Sequence, residues 1–202
     1  MAKLYFKYGA MGSSKSAQAL ITKFNYEERG MKVWMFKPST DTRGEAATVN
    51  SRIGLKADAD LLPPDGSVAE RFRERMSEGR KTDVIIVDEC QFLEPKQIDE
   101  LRDIVDECDI PVLCFGLRTD FRTRLFPGSA RLFEVADSIT EIKTICECGK
   151  KATVNARISD GRIVTEGEQV LIGGNDTYLA MCFSCWKKRL AKEAGQPAKI
   201  SR

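Results

Sequence analysis

The stretch GAMGSSKS, residues 9–16, has the residue types of a phosphate-binding loop. In the pattern G-x-x-x-x-G-K-S, backbone N–H groups surround a polyphosphate, the lysine reaches its β- and γ-phosphates, and the serine hydroxyl binds Mg²⁺. Gly9, Lys15 and Ser16 fit, but Ser14 replaces the second glycine. Its Cβ would obstruct close approach of phosphate, or strain the backbone if φ is positive there. From these residues alone, an ordinary strand–helix turn is an equally good interpretation.

Two adjacent carboxylates end the apolar run DVIIVDE, residues 83–89. In a phosphate-binding fold, a carboxylate at the tip of a neighbouring parallel strand holds the magnesium shell. Asp88 suits that role, and Glu89 is then free to accept a proton from an attacking hydroxyl. The alternative is that both are solvated charges that end a buried strand.

Four of the seven cysteines form two close pairs with the spacing of a metal site: Cys146, Cys148, Cys182 and Cys185. Four thiolates can close a tetrahedral Zn²⁺ site and leave no open coordination position, which indicates a structural metal. The alternative is four reduced core cysteines. The other three, Cys90, Cys108 and Cys114, lie in or beside apolar patterns and are predicted to be core.

The composition excludes several classes of function. The 202 residues include no histidine, so serine–histidine and cysteine–histidine nucleophilic mechanisms are impossible. The formal net charge is +2, which gives no reason to expect binding to a nucleic acid polymer or a membrane. The short, lysine-interrupted N-terminus is not a signal peptide, and we expect a cytoplasmic protein.

Alternating elements must position these groups. Strands are predicted at 3–8, 32–37, 83–89 and 111–116, with helices after Gly9 and from Pro95. Near-continuous apolar strands between helices predict an α/β fold with a parallel sheet covered on both faces. Residues 38–66 form a long excursion. We predict a nucleotide-binding α/β domain over 1–143, a small zinc-binding domain over 144–191, and a flexible tail over 192–202.

The motifs together resemble the type II thymidine kinase family, in particular its bacterial members. The resemblance rests on the phosphate loop with Met11, on DECQF (88–92), on GLRTDF (116–121) and on GEQVLIGGNDTY (167–178) between the cysteine pairs. It extends to about Trp186. The family has a Rossmann-like parallel sheet with a phosphate loop, and a small zinc-binding domain whose lasso loop closes over the nucleoside. Here the lasso corresponds to residues 149–181.

The resemblance implies transfer of the γ-phosphoryl group of ATP to the 5′-hydroxyl of thymidine or deoxyuridine, with Glu89 as general base. It places ATP and Mg²⁺ on Gly9, Ala10, Met11, Gly12, Ser13, Ser14, Lys15, Ser16, Asp88 and Gln91. The nucleoside is expected against Met11, Phe92, Leu117, Phe121, Gly173, Gly174 and Tyr178. Asp41 and Arg43 match a family element of uncertain role. A homotetramer is also implied.

Two other functions stay open at this point. The chain could be a catalytically weak nucleotide-binding or sensing homologue whose loop is impaired by Ser14. It could also be a zinc ribbon that binds nucleic acid through residues 146–190, although the near-neutral charge disfavours that alternative.

Overall fold

The computed structural model describes residues 1–40, 47–169 and 178–195. Four residues with predicted roles, Asp41, Arg43, Gly173 and Gly174, lie outside the described residues, as does most of the predicted tail. Among the described residues, no helix has the length and apolar character needed to cross a membrane.

Six parallel strands form the central sheet, in the order β5-β2-β6-β7-β1-β8. They are β1 (Leu4–Tyr8), β2 (Val33–Pro38), β5 (Asp60–Leu62), β6 (Val84–Val87), β7 (Val112–Gly116) and β8 (Ser138–Glu141). Every residue of β6 and β7 is buried, because strands in the middle of a parallel sheet are covered on both faces. The predicted α/β fold is therefore confirmed.

Helices pack on both faces of this sheet. They are α1 (Lys15–Glu27), α2 (Val68–Ser77), α3 (Pro95–Cys108) and α4 (Pro127–Val135). Alternate residues of β6 enter two different cores: Ile85 and Val87 pack with residues of α2, α3 and α4, whereas Val84 and Ile86 pack with residues of α1. The period of two along a strand thus explains why an uninterrupted apolar run was needed.

The three cysteines predicted to be core divide unequally. Cys90 and Cys114 are fully buried, as expected. The prediction for Cys108 is wrong, because its side chain is exposed. Cys108 is the last residue of α3, and Asp109 follows in the left-handed conformation with φ 54°. The buried residues of α3 end at Val105, so Cys108 lies beyond the part of the helix that packs on the core.

The excursion over 38–66 is partly built into the sheet. Its described part forms an antiparallel hairpin of β3 (Thr48–Asn50) and β4 (Lys56–Asp58), followed by the edge strand β5. The turn after β5 is held by Gln97, which is 3% exposed at the start of α3. The Gln97 amide nitrogen donates to the carbonyls of Pro63 at 3.0 Å and Gly66 at 2.8 Å. Its side-chain oxygen accepts from the N–H of Glu94 at 3.0 Å.

A second, smaller sheet belongs to the cysteine-rich part of the chain. It is antiparallel, in the order β10-β9-β11, with β9 (Val154–Ser159), β10 (Arg162–Ile163) and β11 (Tyr178–Met181). Helix α5 (Phe183–Glu193) follows, with Cys182 as its N-cap residue. This unit has a hydrophobic cluster of its own around Ala156, Ile163 and Met181. The predicted domain boundaries stay predictions.

Replacing Gln97 with alanine should lower the free energy of unfolding by about 2 kcal/mol, because it removes a buried side chain and its hydrogen bonds to several partly buried backbone groups. Urea denaturation followed by circular dichroism measures this loss. Gln18→Ala, at an exposed position of α1, is the matched control and should change the free energy by less than about 0.5 kcal/mol. Equal unfolding midpoints for the two variants would contradict the role of Gln97.

Candidate active site

The loop 9–16 joins β1 to α1, which is the strand–loop–helix context that a phosphate loop requires. Gly9 is needed at its start, because a Cβ there would lie 2.4 Å from both the carbonyl oxygen of Ile142 and the hydroxyl of Ser13. Gly12 has φ 75°, in the left-handed region. The chain thus turns sharply twice before α1 begins.

Ser14 also lies in the left-handed region, with φ 63° and ψ 27°, at the N-cap of α1. Its side chain makes no capping hydrogen bond. A residue with a Cβ loses about 1 kcal/mol in this conformation, which glycine adopts freely. The position therefore favours the glycine of the usual pattern, and the serine is accommodated with strain.

Lys15 is 8% exposed, and its ammonium group is folded over the loop. Its Nζ donates to the carbonyls of Gly9 at 3.2 Å and Ala10 at 3.0 Å, and lies 3.5 Å from the Ser13 hydroxyl. These acceptors are neutral. A polyphosphate in the loop would offer charged oxygens to the same cation, and such hydrogen bonds are roughly twice as strong.

The carboxylate of Asp88 meets the start of α1 at the tip of β6. Asp88 is 4% exposed and is hydrogen-bonded by the Ser16 side chain. Burial, and then the charge of neighbouring Glu89, raise the pKa of Asp88 to about 7. Its Oδ1 is buried and has no hydrogen-bond partner among the described residues. A buried carboxylate with an unsatisfied oxygen beside a serine hydroxyl fits the ligand set of Mg²⁺.

Glu89 is held in place by a hydrogen bond from Gln91. Glu89 adopts a left-handed backbone with φ 52°, and its Oε2 accepts a hydrogen bond of 2.5 Å from the Gln91 amide. The amide oxygen of Gln91 accepts from the N–H of Leu117 at 2.9 Å, just beyond β7. Gly116 permits this, since a Cβ there would lie 2.6 Å from the Gln91 side chain. Contact of Gln91 with ATP or Mg²⁺ stays a prediction.

Arg157 connects two of the residues expected around the nucleoside, and sequence reasoning missed it. It is 5% exposed on β9, with its guanidinium carbon 3.8 Å from the centre of the Phe121 ring. Its Nε and Nη2 donate to the Tyr178 hydroxyl at 3.1 and 3.0 Å, and Nη2 also donates to the Gln169 carbonyl at 3.2 Å. The alternation of polar Asn155 and Arg157 with apolar Val154, Ala156 and Ile158 was the available signal.

Three further residues expected at the nucleoside, Met11, Phe92 and Leu117, lie among the described residues. The N–H of Met11 donates to the side chain of Asn155 at 2.8 Å, which places Met11 beside β9. Phe92 packs edge-to-face on Phe126, with ring centres 5.7 Å apart. Leu117 follows β7, and its carbonyl accepts from Ser129 at 2.6 Å.

The four predicted zinc ligands come together. The sulfur atoms of Cys146, Cys148, Cys182 and Cys185 all lie within 4.8 Å of one another, and those of Cys148 and Cys182 are 3.6 Å apart. A tetrahedron with Zn–S bonds of about 2.3 Å has edges of about 3.8 Å, so these residues fit a zinc ion. The N–H of Cys185 donates to Cys182 Sγ and is the main cause that lowers the pKa of Cys182 to about 7, which favours the thiolate.

Comparison with known proteins identifies similar sequences over nearly the whole chain. A family model described as thymidine kinase matches residues 2–186. A thymidine kinase of Ruegeria pomeroyi is 45% identical over 189 residues, covering 93% of this chain and 95% of that protein. One of Legionella pneumophila is 47% identical, covering 93% and 90%. One of Escherichia coli O157:H7 is 46% identical, covering 94% and 93%.

Ser14→Gly should raise the free energy of unfolding by roughly 0.5–1 kcal/mol, because glycine relieves the left-handed strain. Thermal or urea unfolding measures the gain. Ser14→Ala keeps the Cβ and removes only the hydroxyl, so it should not stabilise the protein. The assignment of strain fails if the glycine variant is no more stable than the alanine variant.

Purified protein should contain about one zinc per chain. Cys182→Ser should lose most of the metal and unfold at lower temperature, since the four ligands would join the end of β11 and the start of α5 to the segment 146–148. Elemental analysis and thermal unfolding give the two readouts. The matched control is the exposed Cys108→Ser, which should keep both zinc and stability. Equal zinc contents in the two variants would contradict the site.

Proposed function

The chain belongs to the thymidine kinase family, and we propose that it transfers the γ-phosphoryl group of ATP to the 5′-hydroxyl of thymidine. The products would be thymidine 5′-monophosphate and ADP. The observation that carries this proposal is the meeting of the phosphate loop with the tip of β6, where the Ser16 hydroxyl bonds the buried Asp88 and Glu89 follows directly.

The loop and Lys15 would bind the phosphates of ATP. The loop lies at the N-terminus of α1, where the N–H groups of a helix and its dipole favour an anion. Lys15 is already folded over the loop and would exchange carbonyl acceptors for phosphate oxygens. Mg²⁺ held by Ser16 and Asp88 would supply charge neutralisation on the β- and γ-phosphates. Phosphoryl transfer depends mostly on such positioning and electrostatic stabilisation.

Glu89 would accept the proton of the attacking 5′-hydroxyl. Its carboxylate is fixed by Gln91, which is 1% exposed and anchored to the Leu117 N–H, so the base is oriented by a buried side chain. A general base held in this way contributes when it lies within hydrogen-bond reach of the hydroxyl it deprotonates.

The nucleoside would bind between Met11, Phe121 and Tyr178. Each of them contacts a side chain of β9: Met11 bonds Asn155, whereas Phe121 and Tyr178 contact Arg157. Aromatic and methionine side chains suit a flat pyrimidine ring. Recognition of the base by backbone groups near Gly173 and Gly174, outside the described residues, stays a prediction, as does acceptance of deoxyuridine.

Assembly as a homotetramer and a cytoplasmic location also stay predictions. One feature favours association between copies: Ile21 and Phe24, on the outer side of α1, are 47% and 59% exposed. Apolar side chains grouped on a surface helix often mark a contact with another protein.

Glu89→Gln should lower kcat by at least about 100-fold and leave the fold intact, because the amide cannot accept the hydroxyl proton. A radiolabelled-ATP assay with thymidine and Mg²⁺ measures turnover, and circular dichroism checks the fold. Glu107→Gln, at an exposed position of α3, is the matched control and should behave as wild type.

The same assay tests the proposed function as a whole. Product formation by the wild type supports the kinase. ATP binding without transfer would instead support a sensing homologue. Near-normal turnover in Glu89→Gln, with an active wild type, would remove Glu89 as the base and leave the reaction standing.

A further inference from the structure

The buried side-chain amide of Asn155 joins three segments of the chain at one point. Asn155 lies on β9 and is 3% exposed. Its Oδ1 accepts the N–H of Met11 at 2.8 Å, and its Nδ2 donates to the carbonyl of Thr119 at 3.1 Å. Met11 lies 144 residues away along the chain and Thr119 lies 36 away. A single side chain therefore links the phosphate loop, the segment after β7 and the small sheet.

The two bonds together require a side chain that both accepts and donates, as the Asn155 amide does. Met11 offers a donor and Thr119 offers an acceptor, so the side chain between them must supply one acceptor and one donor. A carboxylate would only accept, and an aliphatic side chain would do neither. If Asn155 were replaced, the Met11 N–H and the Thr119 carbonyl would lose their partner at a place where water has little access. The loss would therefore destabilise this arrangement.

The two backbone groups belong to segments that carry proposed nucleoside contacts. Met11 is itself one of them, and Thr119 precedes Phe121 by two residues. Arg157, two residues after Asn155, lies on the same side of β9 and stacks on Phe121. The alternate residues Ala156 and Ile158 enter the core of the small unit instead. One face of β9 thus sets the positions of both Met11 and Phe121.

We propose that Asn155 is a positioning residue for the nucleoside site, and that it sets the distance between the Met11 and Phe121 walls. The proposal rests on the proposed kinase function. It assigns no contact between Asn155 and the reacting atoms. Met11 is expected at both ligands, but Lys15 and Ser16, which would hold the phosphates and Mg²⁺, lie four and five residues beyond it. Loss of the bonds should therefore affect nucleoside binding more than ATP binding.

Steady-state kinetics of Asn155→Leu tests this proposal. Leucine has nearly the same shape and makes neither bond. The KM for thymidine should rise roughly tenfold, as expected for the loss of about one net hydrogen bond. The kcat should stay within about threefold of wild type, and the KM for ATP should change by less than about threefold. Asn50→Leu, at an exposed position of β3, should leave all three unchanged.

The outcomes separate positioning from a purely structural role. If Asn155 only stabilises the fold, the variant loses active molecules: kcat falls with the unfolded fraction while the KM for thymidine is unchanged, and the proposal is overturned. Unchanged kinetics overturn it as well. Asn155→Ala, which adds no atoms, is measured in parallel and decides if the leucine variant does not fold. An inactive wild type would refute the proposed function itself.

Discussion

Parallel pairing of β6, β7 and β1 is the constraint on which the site depends. Tyr8 pairs with Gly116 and Val87 pairs with Cys114, so the three strands end at the same edge of the sheet. The N–H of Gly9 donates to the carbonyl of Gly116 at 3.2 Å, which holds the loop against the end of β7. The carboxyl ends of the three strands therefore lie side by side. This places the phosphate loop, the paired carboxylates and the segment after β7 next to one another.

Backbone strain accompanies this convergence. Ser14 and Glu89 both adopt left-handed conformations, and each lies immediately before a helix: Ser14 before α1, and Glu89 before the short 3-10 helix of residues Cys90–Phe92. Such conformations persist only where the surroundings determine them. Lys15 bonds across the loop next to Ser14, and Gln91 bonds from Glu89 to Leu117. The tight turn at Glu89 also gives the two adjacent carboxylates different surroundings. Asp88 is buried against Ser16, whereas Glu89 accepts a hydrogen bond from Gln91.

Much of the fold and part of the site could be predicted from sequence, because these features are written in local patterns. The apolar runs predicted a parallel sheet, and the cysteine spacing predicted the sulfur cluster. Gln97, Asn155 and Arg157 could not be predicted in the same way, since their partners lie from 12 to 144 residues away apart from the local Glu94 bond. The prediction that Cys108 is a core residue was wrong because helical periodicity does not indicate where the sheet beneath a helix ends. The φ of Ser14 likewise depends on the whole turn.

The sulfur cluster and the proposed nucleoside site are connected through the register of one strand pair. Met181 of β11 pairs with Val154 of β9, and Tyr178 pairs with Arg157. This register places the Tyr178 hydroxyl where it accepts a hydrogen bond from the Arg157 guanidinium. Cys182 follows Met181 directly and shares the sulfur cluster with Cys146, which precedes β9. A slip of one residue in this pairing would turn Asn155 and Arg157 to the opposite face of the sheet. A zinc ion held by these four cysteines would therefore help to fix which face of β9 contacts the Met11 and Thr119 segments.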